Sequence, residues 1–114
     1  MDTAELVLLY DYYGALLTDR QKECFELRYN QDLSLGEIGQ ELGISRQGVF
    51  DNLNRTEVLL KNMEAKTGCV RRDRACRKAM EDIRKLAQSI LSEGNDKMSA
   101  IAQEIISVTD GVEE

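Results

Sequence analysis

The sequence predicts an all-α protein built around a helix-turn-helix. Apolar residues recur at three- and four-residue spacing along most of the 114-residue chain, the period of helices with one buried face. Proline is absent and aromatics make up only 5% of residues, whereas a sandwich or barrel of this size needs more turn formers and more β-branched and aromatic side chains. Two Ser/Thr-x-x-Glu/Gln segments stand just ahead of apolar-periodic stretches, as helix starts do.

Taken in order, a first helix is expected from Ala4 to Leu17, with Leu6, Leu9, Tyr10, Tyr13 and Leu17 on one face. Val7, Leu8, Tyr12 and Leu16 widen this stripe beyond what one packing partner needs. It is either a central helix touched on two sides or a surface through which two copies of the chain form a homodimer. Thr18-Asp19-Arg20-Gln21 is a capping box, in which the hydroxyl takes a free amide and the glutamine reaches back. It opens a second helix through Cys24, Phe25, Leu27 and Arg28, ending near Tyr29, and Asn30-Gln31-Asp32 is a polar loop. Ser34-Leu35-Gly36-Glu37 is a second box, starting a third helix with Leu35, Ile38 and Leu42 on one face until Gly43 stops it.

Ser45 is the expected cap of a fourth helix, carried by Val49, Phe50, Leu53, Val58 and Leu60 to about Lys66 and ended by Gly68. Cys76, Ala79, Met80, Ile83, Leu86, Ala87, Ile90 and Leu91 stripe a fifth helix, broken at Gly94-Asn95. A short sixth helix from Lys97 to about Val108 follows, with a frayed tail from Asp110 to Glu114. Residues 1–68 are expected to form the helix-turn-helix domain. Residues 69–114 are expected to be a helical extension packed on it or on a second subunit.

Composition narrows the function classes. The chain holds no histidine, no CxxC pair and three unpaired cysteines, Cys24, Cys69 and Cys76. A zinc site and a disulfide framework are therefore not expected, and Cys24 reads as a small core side chain. Carboxylates fall at helix starts and on polar faces, and no phosphate loop, nucleophile elbow or HExxH is present. The expectation is a protein that is not an enzyme, with no cofactor and no metal. No apolar run reaches the eighteen or so residues of a membrane span, and the N-terminus lacks the signature of a signal peptide. A cytoplasmic location is expected.

The third helix, the turn Gly43-Ile44-Ser45 and the fourth helix form the helix-turn-helix, with Gly39 leaving room for a close crossing. The runs Leu17-Thr18-Asp19-Arg20-Gln21, Leu27-Arg28-Tyr29, Ser34-Leu35-Gly36-Glu37-Ile38-Gly39 and Leu42-Gly43-Ile44-Ser45-Arg46 resemble region 4 of bacterial sigma-70 factors, which grips the promoter −35 element. The stretch from Ile44 through Arg46, Gln47, Gly48, Val49, Phe50, Asp51, Asn52 and Leu53 to Glu57 is more similar still to the YlxM family of small sigma-region-4-like proteins. So is the lead-in from Leu9 to Leu17. Asn52 stands where the sigma pattern has an apolar residue, and Leu53 takes over, as in the YlxM-type run. The resemblance is strong over residues 4–66 and only patterned from Cys69 onward. It implies a sigma-region-4-like bundle, akin to a winged helix without the wing. It also implies a DNA-binding regulatory role, and, from the gene neighbourhood of that family, a place in the signal recognition particle pathway of protein secretion.

If the motif reads DNA, the start of the fourth helix enters the major groove and presents Ser45, Arg46, Gln47, Phe50 and Asp51. Arg46 suits guanine or a phosphate, Gln47 suits adenine, and Ser45 can donate to a phosphate. Asn52 is a further candidate on the same helix, and Arg55, two turns on, can hold the backbone. Asp51 has the wrong sign for a phosphate unless it accepts from cytosine or pairs with Arg55. Residues 18–66 hold seven basic and nine acidic side chains and the chain is net −6, which weakens the electrostatic footprint that phosphates demand. A second, more basic surface lies at Arg71, Arg72, Arg74, Arg77 and Lys78. It suits an RNA or DNA backbone, a signal recognition particle component or an acidic protein, or is a solvated face balancing nearby acids. Two functions thus stay open: a DNA-binding regulator, and a protein–protein or RNA-binding adaptor that retains the fold without reading DNA.

Overall fold

Six α-helices and one short 3-10 turn, without a strand, make up residues 2–113, which the computed structural model describes together with the side chains of residues 2–111. In chain order they are α1 (Thr3–Tyr13), the 3-10 turn Gly14–Leu16, α2 (Asp19–Tyr29), α3 (Leu35–Leu42), α4 (Arg46–Thr67), α5 (Cys69–Glu93) and α6 (Asp96–Glu113). They group into two compact units, Met1–Val70 and Arg71–Glu114.

The starts of the first four helices follow from local chemistry. Asp2 caps α1 by accepting the Glu5 amide, and both capping boxes close: Thr18 with Gln21 and Ser34 with Glu37. Gly43 and Gly68 end α3 and α4 with φ of 70° and 64°, the left-handed region that glycine enters without a Cβ penalty. The first helix is shorter than expected. Its α-helical part stops at Tyr13, and the chain tightens into the 3-10 turn before Leu17 swings to extended φ and ψ. That swing sends the Leu17 side chain into the core.

Two apolar clusters occupy the first unit. Cys24, Ile38 and Val49 are fully buried in one, with Leu27, Leu35, Leu42, Ile44 and Leu53 packed against them. Leu6, Leu9, Tyr13, Leu17, Phe25, Leu60 and Val70 make the other, where the Tyr10 ring stacks on Phe25 with centroids 4.1 Å apart. α4 serves both clusters, through Val49 at one end and Leu60 at the other, and buried Thr56 lies between them. Thr56 satisfies its hydroxyl by donating to the Asn52 carbonyl one turn back, at 2.9 Å. On α1, Leu8 and Tyr12 are half-buried against this core, so the surplus apolar surface expected there is reduced mainly to exposed Leu16.

Among the described residues of the second unit, the buried ones are Ala87 on α5 and Ala102 and Thr109 on α6. α6 begins one residue early, with Asn95 Oδ1 accepting the Met98 amide at 3.0 Å. It runs past the expected stop near Val108, because Thr109 is buried and Asp110 pairs with Arg84 of α5 at 3.3 Å. Gly111 does not end it: it takes a helical φ, and glycine inside a helix costs only about 1 kcal/mol. Of the tail expected to fray, residues 110–113 are helical and Glu114 lies outside the described residues.

Candidate nucleic-acid interface

The turn between α3 and α4 is fixed from both sides. After Gly43, the Ile44 amide returns to the Gly39 carbonyl at 3.0 Å, closing the 6→1 bond of a Schellman cap. A Cβ on Gly39 would stand 2.7 Å from the Ile44 carbonyl oxygen, so only glycine admits this approach. Arg20 of α2 donates to the Leu42 carbonyl at 3.2 Å, a cation at the negative end of α3. Ser45 Oγ then accepts the Gly48 amide at 2.9 Å and α4 starts.

This construction presents Ser45, Arg46, Gln47, Phe50 and Asp51 as exposed residues on the first turns of α4. Arg46, Gln47 and Phe50 line a shallow hollow with Leu35 of α3. Arg46 forms no ion pair among the described residues. Gln47 Nε2 donates to Asp51 Oδ1 at 3.0 Å, so Asp51 is engaged one turn back and not with Arg55, one of the two partners the sequence left open for it. Arg55 also lacks an ion pair among the described residues, and it lines a different hollow with Gln21, Asn54, Val58 and Leu59. No unbroken basic stripe joins Arg46 to Arg55, since every residue between them is neutral or acidic. Asn52 departs from the exposed edge: it is half-buried, and its Oδ1 is shut away from solvent without a partner.

Comparison with known proteins agrees with this architecture. The sequence model of the UPF0122 family, described as "Putative helix-turn-helix protein, YlxM / p13 like", matches residues 1–105. The chain belongs to this family. A UPF0122 protein of Thermoanaerobacter sp. (strain X514) is 51% identical over 80 residues, covering 70% of this chain and 68% of the relative. One from Caldanaerobacter subterraneus subsp. tengcongensis is 52% identical over 79 residues, 69% of this chain and 68% of the relative. One from Desulforamulus reducens is 41% identical over 103 residues, 87% and 88% of the two chains.

Two features of this UPF0122 chain had no distinct sequence signal. Glu64 of α4 accepts from the Tyr13 hydroxyl at 2.7 Å and from the Val70 amide at 3.0 Å, and Thr67 Oγ1 meets the same hydroxyl. Because the tyrosine proton goes to Glu64, Thr67 donates to the phenol oxygen. Burial raises the Tyr13 pKa, with Glu64 adding to the rise and the Thr67 bond opposing it. Burial, with Glu26 and Asp11 nearby, pushes Tyr10 up to about 12. The second feature is that α5 is exposed all round from Arg71 to Ala79, so Cys76 and Ala79, expected on its apolar stripe, face solvent alongside the predicted basic surface of Arg71, Arg72, Arg74, Arg77 and Lys78. Among the described residues no helix is long and apolar enough to cross a membrane.

Proposed function

We propose that this UPF0122 protein is a DNA-binding regulator that lays the N-terminal edge of α4 in the major groove. The observation that carries the reading is Arg46, exposed in the first turn of α4, without an ion pair among the described residues and flanked by Ser45, Gln47 and Phe50. Its guanidinium suits a bidentate contact to guanine, and Gln47 suits adenine once it leaves Asp51. Ser45 accepts within its cap and keeps a proton to donate to a phosphate, beside the positive end of α4. Arg55 is the backbone contact. Asn52 is left out of the reading set because its carbonyl oxygen is buried. The resemblance to the YlxM group supports the signal recognition particle pathway as the setting, with one of its components or RNA as a further partner. Pairing of two copies through α1 is not needed for this activity.

An adaptor that keeps the fold without reading DNA is the second reading. It is favoured by the charge of residues 1–70, which hold seven cations and twelve acids. Fluorescence anisotropy of labelled duplexes over a salt series separates the two. A DNA reader binds at low salt, and Arg46→Ala weakens preferred duplexes by about 1–3 kcal/mol while flattening base preference. Absence of any salt-dependent association with duplex DNA leaves the adaptor.

A further inference from the structure

Residues 71–78 carry five cations and one acid, net +4 in a chain of net −6, so the other residues sum to −10. Every position from Arg71 to Ala79 is exposed, although all of them are helical. At 3.6 residues per turn, Arg71, Arg74, Arg77 and Lys78 fall within an arc of about 120° and a length of about 10 Å. They occupy the start of α5, whose first turn holds no acid. The peptide dipoles there add positive potential and disfavour cations. Helix stability therefore works against this placement, and an anionic ligand would reward it. Four of the five are arginines, the side chain that matches phosphate geometry with two donors. Arg74 and Arg77 form no ion pair among the described residues, and Lys78 has only an exposed contact with Asp82 at 3.6 Å.

The side chains between the cations select the kind of polyanion. Ala75, Cys76 and Ala79 are small. The desolvated core of a protein interface sets its arginines beside large apolar or aromatic anchors, and a single strand stacks its bases on aromatic faces. This segment offers neither, only charge. We propose that Arg71–Lys78 is a second DNA contact that grips the phosphate backbone of a duplex without reading sequence. It extends the DNA reading of α4 but stands on separate residues, and the two can fail separately.

The test is anisotropy of the full chain on several unrelated duplexes over a salt series. It compares wild type, Arg74→Ala/Arg77→Ala, Arg46→Ala and the combined variant, each checked for helicity by circular dichroism. Alanine on an exposed helix keeps the fold. The double variant is expected to bind every duplex on the order of tenfold more weakly near 0.1 M salt, with a log–log salt slope shallower by about 1.8. The same loss is expected when Arg46 is already alanine. If Arg46→Ala changes nothing while the double variant keeps its loss, the reading role of α4 fails and this contact stands. Wild-type affinity and slope in the double variant would overturn the proposal, whatever Arg46 does. Tighter binding of wild type to polyglutamate or to a single strand than to duplex would overturn it too.

Discussion

The first unit buries large apolar side chains, Phe25, Ile38, Val49 and Leu60, together with the smaller Cys24 and Thr56, all less than 2% exposed. Among the described residues of the second, the buried ones are Ala87, Ala102 and Thr109, while Ile83, Leu86, Met98, Ile101 and Val108 stay exposed. Both units are helical and both carry apolar stripes of helical period. The first surrounds α4 with three other helices, so its stripe is covered on more than one side. The second, among its described residues, buries only small or polar side chains and leaves an apolar groove lined by Met80, Ile83, Ile101, Ile105 and Val108. Periodicity announces a helix. What covers its stripe decides how much stability the stripe returns.

The largest test of that contrast is truncation of one isoleucine in each unit. Ile38→Ala empties a fully buried site and is expected to cost about 2–5 kcal/mol in urea unfolding. Ile101→Ala, at a residue 51% exposed, is expected to cost less than about 1 kcal/mol, because most of the removed surface already faces water. Equal losses would dissolve the distinction.

Glycines sharpen it next. Gly39→Ala drives a Cβ against a carbonyl of the α3–α4 turn, and a loss of about 1–3 kcal/mol is expected in a thermal melt. Gly43→Val forces a β-branched residue to a φ of 70° at a similar cost of about 1–3 kcal/mol. Gly111→Ala meets nothing within 4 Å in a helical position and should stabilise by up to about 1 kcal/mol.

These sites also mark how far the sequence was legible. Both capping boxes, the stops at Gly43 and Gly68 and the burial of Cys24 follow from local rules, and the structure has each of them. The stripe of α4 was harder. Phe50 and Val58 were expected on it, yet they are 46% and 56% exposed, and buried Thr56 lies on it instead. Counting by helical period from Val49 to Leu60 passes through Leu53 and Thr56, so spacing held the answer that residue polarity obscured. The same count turns Asn52 inward. The Tyr13–Glu64–Thr67 cluster joins residues more than fifty positions apart, which no local pattern reveals.

That cluster gives a smaller effect, again in the first unit. Tyr13→Phe removes the hydroxyl but leaves Glu64 its bond from the Val70 amide. Partial loss of partners for a carboxylate predicts about 1–2 kcal/mol, read by chemical denaturation. A change under a few tenths would mean that the cluster only decorates the junction of α4 and α5.

The smallest effect separates the two capping boxes, one closed by a carboxamide and the other by a carboxylate. Gln21 closes the first by accepting the Thr18 amide at 3.0 Å, and Glu37 closes the second by accepting the Ser34 amide at 3.1 Å. The Ser34 amide and the nearby hydroxyl hold the Glu37 carboxyl below its ordinary pKa. A depressed folded value means the contribution is present above the unfolded pKa and fades as pH falls through the lower folded one. Gln21 has no such titration. Followed by NMR on acidification, the Ser34 amide should move with a midpoint below the usual glutamate range, while the Thr18 amide stays level. Glu37→Gln should abolish the Ser34 transition and preserve the cap, since a glutamine oxygen accepts the same bond. A Ser34 transition that survives in Glu37→Gln would assign the titration to another group and leave Glu37 without its capping role.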